Sequence, residues 1–175
     1  MNVFDQIETM GLKISWKLLD IGVNGFGEFH AFLEYKDVTD YLCNHLDEKA
    51  NPETIALICE QDNSERFKRL LSCMAALDPF ECETQKRKWR AYFLQVELDT
   101  LDNDPLRGSL QLMDFWSSLE DSEGGPDIFP SKDPRYYFTE SAYRTLVNAN
   151  RIWLQNEINQ IIECEKKLEK LQLRG

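Results

Sequence analysis

Residues 86–130, KRKWRAYFLQVELDTLDNDPLRGSLQLMDFWSSLEDSEGGPDIFP, decide the fold class of this 175-residue chain. Trp89, Tyr92, Phe93 and Val96 recur at helical steps and form one apolar stripe, while Leu94, Leu98 and Leu101 form a second on another side. A helix apolar on two sides is packed by neighbours on both, so this segment is expected at the centre of a helical domain. Asp104-Pro105 then supplies an N-cap and a proline at the first helical position. Leu106, Leu110 and Met113, together with Leu112, Phe115, Trp116 and Leu119, carry the next helix. The connection is short, which makes the two helices adjacent and roughly antiparallel.

Capped amphipathic segments continue toward the N-terminus. Asn63 or Ser64 opens a helix bearing Phe67, Leu70, Leu71, Met74 and Leu77, which Asp78-Pro79 stops. Thr84 opens the helix of the quoted stretch. Asn51-Pro52 caps a short helix whose buried side is read as Ile55, Ile58 and Cys59. Asp37 takes the N-cap position ahead of Val38, Tyr41, Leu42 and Leu46. Val3–Leu12 and Ile14–Ile21 read as two further short helices. Between them and Asp37 lie Gly22, Gly25 and Gly27, which mark a turn, with a short strand or hairpin near residues 22–35.

On the C-terminal side, residues 120–138 hold Gly124, Gly125, Pro126, Pro130 and Pro134 and have no helical period, so they read as a long acidic loop. Thr139 caps a last long helix. Its stripe narrows after Glu163, and residues 163–175 are expected to project, fray or pair with a partner helix. The expectation is an all-α single domain over residues 1–175. It has seven or eight packed helices, as an irregular bundle or stacked helical hairpins.

Composition limits the function. The net charge of −11 disfavours nucleic acid, which needs a basic face, and an anionic membrane surface. It favours a basic protein partner. The five cysteines form no C-x-x-C pair and are odd in number, which fits reduced thiols and a cytoplasmic location better than a secreted disulfide framework. No signal peptide and no apolar membrane span is visible. His30 and His45 are the only histidines, and Cys43 two positions before His45 points to another side of a helix, so no metal set is expected, with Cys43 buried and His45 exposed or capping. GVNGFG at 22–27 lacks the Lys-Ser/Thr of a phosphate-binding loop. No cofactor and no catalytic residue is expected.

The distribution of charge carries more. Asp99, Asp102, Asp104, Asp114, Glu120, Asp121, Glu123 and Asp127 face a single base, Arg107, over the same stretch. Such a run is either a solvated face or a surface that meets a cationic partner. Phe129, Tyr136 and Tyr137 beside it either anchor that partner or pin the loop to the body. Lys86, Arg87, Lys88 and Arg90 form the opposite cluster, to be paired with Glu81, Glu83 and the acidic segment.

KWRAYFLQVELDTLDNDPLRGSLQLMDFWSSL, followed by a proline-containing loop with IFP, resembles the bacterial domain of unknown function 2247 family. The features that carry the resemblance are the Lys88-Trp89-Arg90 start, the aromatic-aliphatic helix, Asp104-Pro105-Leu106, the aromatic near the next helix end, and the Pro-rich loop before the last helix. Trp16 and Asp37-Val38 match that family's N-terminal half. The loop SEGGPDIFPSKDPRYYF departs from its more aromatic pattern. The resemblance implies an intracellular bacterial protein and, for some members, an immunity protein beside a polymorphic toxin. It transfers no catalytic residue. The expected function is therefore an acidic helical binding protein that neutralises a cognate basic toxin. The alternatives are a general helical interaction or scaffold protein and, third, a carboxylate-using hydrolase.

Overall fold

The computed structural model describes residues 2–27, 29–46, 51–60, 63–119, 125–126 and 139–172. Among these are eight helices and no sheet: α1 (Val3–Thr9), α2 (Trp16–Asn24), α3 (Tyr35–Asn44), α4 (Pro52–Cys59), α5 (Ser64–Leu77), α6 (Cys82–Asp99), α7 (Pro105–Ser117) and α8 (Glu140–Gln172). The chain is all-α. Among the described residues, the expected strand or hairpin near 22–35 amounts to a single antiparallel bridge between Phe26 and Phe29.

Most starts follow from cap chemistry. Asn2 Oδ1 accepts from Asp5 N at 2.8 Å, Asn51 Oδ1 from Thr54 N at 2.7 Å, and Asp104 Oδ1 from Arg107 N at 3.0 Å. Each satisfies an orphan donor of a first turn. Two expected starts are corrected. Helix α3 begins at Tyr35 after Glu34, and Asp37 is its third residue, whose carboxylate accepts from Glu34 N at 2.8 Å. Helix α6 begins at Cys82, and Thr84 is buried inside its first turn.

Helix α6 is the centre. It packs against α1, α2, α7 and α8, while α2 also packs on α5 and the α3–α4–α5 run closes that side. Trp89 has no exposed surface, and its Nε1 donates to the Leu18 carbonyl at 2.9 Å, so the large ring is buried with its one polar atom satisfied. Leu94 and Leu98, from the second stripe, are buried too.

Three expected stripes are corrected. In α4 the buried pair is Thr54 and Leu57, and Ile55 and Cys59 are exposed. Leu77 of α5 is 86 % exposed. In α7 the stripe through Leu112, Trp116 and Leu119 faces inward, and Leu106 and Leu110 face out. Along α8, Leu146, Leu154, Ile158 and Ile161 line the core. At the 163–175 end, Glu165 is buried, Lys13 pairs with Glu169, and Leu171 is exposed.

Candidate functional site

The acids expected at the partner surface divide into two sets. Glu120, Asp121, Glu123 and Asp127, with Phe129, Tyr136 and Tyr137, lie outside the described residues. The other four sit around the α6–α7 junction and along α7. Asp99 ends α6, takes a hydrogen bond from Gln95 Nε2 at 2.9 Å, and lines a cleft of about 550 Å³ shared with Glu140, Arg144 and Arg151. Asp102 Oδ1 accepts from Asp104 N at 2.8 Å, and its carbonyl accepts from the Tyr143 hydroxyl at 2.6 Å. Asp104 caps α7. Asp114 is exposed on the outer side of α7. Capping therefore accounts for Asp104, the bond from Asp104 N and the ion pair with Arg107 at 3.7 Å account for Asp102, and the cleft beside Asp99 has mixed charge.

The basic run is organised differently from its expected pairing. Among the described residues only Lys86 pairs locally, with Glu83 at 3.7 Å. Arg87 turns to α8 and grips Glu157 with two hydrogen bonds, at 2.7 and 2.8 Å, and Arg90 approaches the same carboxylate at 3.3 Å. Burial alone would push the Glu157 carboxyl up, but the hydrogen bonds and charge of Arg87, with Arg90, more than offset it and hold it below the usual range. Lys88 has no exposed surface. Its Nζ lies 2.5 Å from Glu165, which is buried, and donates to the Lys13 carbonyl. Burial pushes the Lys88 amine down and Glu165 opposes that. The forks that would hold a phosphate are filled by side chains of α8.

Two clefts flank α3, and Tyr41 lines both. Its ring lies 4.6 Å from Phe4 and 4.2 Å from His45, and its hydroxyl donates to Glu8 at 3.1 Å. Burial, then the charge and hydrogen bond of Glu8, push this phenol up. One cleft, of about 710 Å³, lies between α2, α3 and the end of α5, with Trp16, Leu19, Leu42, Met74 and Leu77 on its walls. Asp78 at its floor is engaged, accepting from Lys17 N at 3.0 Å and Phe80 N at 3.1 Å. The other, of about 680 Å³, lies between α1, α3 and α6, with Phe4, Phe32, Tyr92 and Phe93 on its walls and Asp37 and Asp40 at its edge.

Tyr92, Phe93 and Asp40 were not among the residues singled out as a binding surface. The available signal was the aromatic stripe of α6, in which Trp89 is fully buried while Tyr92 and Phe93 are only partly buried.

Chemistry of other kinds has little to work with. Among the described residues no group of three His, Cys, Asp or Glu is placed to hold a metal ion, and no helix is long and apolar enough to cross a membrane. All five cysteines are unpaired, and Cys43, expected to be buried, is exposed with Cys59, Cys73 and Cys82. His45 ends α3, its ring nitrogen 2.8 Å from the Tyr41 carbonyl.

No curated protein and no solved structure matches the chain. A family model described as "Uncharacterized protein conserved in bacteria" (DUF2247) matches residues 4–158, which span α1 to α7 and α8 as far as the Glu157 clasp. The chain belongs to the DUF2247 family.

Proposed function

We propose that this protein is a non-catalytic, acidic binding protein for a basic protein partner, acting as an immunity protein that neutralises a cognate toxin in the cytoplasm by stoichiometric binding. The observation that carries the reading is the fate of the basic run. Arg87, Lys88 and Arg90 are turned into the α6–α8 seam and neutralised by Glu157 and Glu165. Three cations are thereby withdrawn with only two acids, so the remaining surface is at least as acidic as the net charge of −11 implies. A surface of one sign speeds encounter with a partner of the other and suppresses like-charged competitors.

Co-expression with a basic toxin encoded beside it tests the reading. The chain is expected to form a one-to-one complex with that toxin and to restore growth. Growth inhibition that persists with the chain in molar excess overturns it.

A further inference from the structure

The cleft between α1, α3 and α6 differs from the other large cleft in what its walls offer. Its rings hold one another in place: Phe93 stacks on Phe29 at 4.7 Å, and Phe32 meets Phe93 edge-on at 4.9 Å and Trp89 at 4.5 Å. Tyr92 packs 5.4 Å from Phe93, and its hydroxyl has no polar partner among the described residues. Burial pushes that phenol up, so it stays neutral and able to share a hydrogen bond. Asp40 stands exposed at the edge with no ion-pair partner among the described residues, beside Asp37. No described lysine, arginine or histidine lines the cleft. The α2–α5 cleft has fewer rings, Trp16, Tyr41 and Phe80, among aliphatic walls, and of its two carboxylates Asp78 is already engaged while Glu53 lies at the start of α4.

Aromatic walls with a free carboxylate at the edge suit a flat cation. A guanidinium stacks on ring faces through its plane and gives its N–H groups to a carboxylate, whereas an ammonium is a compact, strongly hydrated charge. An anion would meet two like charges, and an aliphatic group would leave the phenol and Asp40 unused. Rings already fixed by their neighbours lose little freedom when the guest arrives. We infer that this cleft is the socket for an arginine side chain presented by the protein partner, with Tyr92 and Phe93 as its walls and Asp40 as its counter-charge. The inference rests on the reading of the partner as a basic protein, and it gives that partner a specific anchor.

The probe is N-acetyl-arginine methylamide, with its citrulline counterpart as the neutral isostere and its lysine counterpart as the compact cation. Binding is followed by NMR at the signals of Asp40, Tyr92 and Phe93. The arginine probe is expected to shift these signals, the citrulline probe to shift them far less, and the lysine probe to bind no more tightly than arginine. Asp40→Asn and Tyr92→Leu should each weaken the arginine probe by roughly fivefold, with the circular dichroism of both variants unchanged. Equal binding of citrulline, tighter binding of lysine, or arginine binding that neither substitution weakens overturns the socket. If the arginine probe is inert while the toxin still binds, the socket falls and the proposed function stands. If the probe binds as expected and the toxin does not, the socket stands and the proposed function falls.

Discussion

Lys88 has no exposed surface, and its Nζ lies 2.5 Å from the buried Glu165, which opposes the downward push of burial on the amine. Removing one partner of such a pair leaves a buried charge alone, whereas replacing both removes the desolvation cost with the attraction. Lys88→Met should therefore cost about 3–5 kcal/mol in urea denaturation, and Lys88→Met with Glu165→Leu should recover most or all of that loss. Additive losses would contradict this account of the pair. Glu157 provides a test by pH. Its folded value is depressed by Arg87 and Arg90 below the ordinary 4.5, so its contribution is present above that value and is lost as pH falls through the folded one. Denaturation of Glu157→Gln beside the parent should show a gap at neutral pH that closes in acid. A gap independent of pH would mean the clasp adds no stability through its charge. None of this was legible from the run of bases. A lysine is normally an exterior residue, and its carboxylate arrives from a helix far along the chain.

Helices announce themselves by caps and periods, and here the caps were the more dependable guide. Asn51-Pro52, Asn63, Asp104-Pro105 and Thr139 sit where the helices start. The period misled in α4, because eight residues give too few turns to choose between faces, and a threonine bonded to the Asn51 cap is buried beside Leu57. In α7 two stripes were present, and the choice fell to the one containing Trp116, whose Nε1 donates to the buried Asn150 at 2.7 Å. The α7–α8 contact depends on a residue that propensity alone would discard. A Cβ on Gly108 would lie 2.5 Å from Tyr143 Cζ and 2.7 Å from the Asp102 carbonyl oxygen. Alanine gains about 1 kcal/mol of helix propensity over glycine, but crowding of this kind costs about 1–3 kcal/mol. It would also displace the Tyr143 hydroxyl from Asp102. Gly108→Ala is expected to lower the melting temperature, and a rise would show that this contact yields without cost.

Across the whole molecule, the all-α architecture was legible from capped amphipathic segments, and the surface was not. Exposure depends on which of two apolar faces finds a neighbour, and one sequence does not record that. The cysteines illustrate it, since Cys43 and Cys59 were read as buried, yet both are exposed, as are Cys73 and Cys82. A thiol reagent added to the native protein should modify Cys43, Cys59, Cys73 and Cys82 rapidly and Cys164 more slowly. Mass spectrometry that finds fewer than four fast sites would contradict the arrangement of α3 to α6. Charge is organised at the same scale: the densest basic run faces inward, and the net charge of −11 is left to the exterior. Attraction between opposite surfaces acts on the approach of two molecules and is screened by salt over roughly 10 Å at 0.1 M ionic strength. The most direct measurement is the stopped-flow association rate with the proposed partner, a basic toxin encoded beside this protein, as salt is raised. The account predicts a fall of about tenfold or more, with dissociation little changed. An association rate that stays level with salt would contradict it.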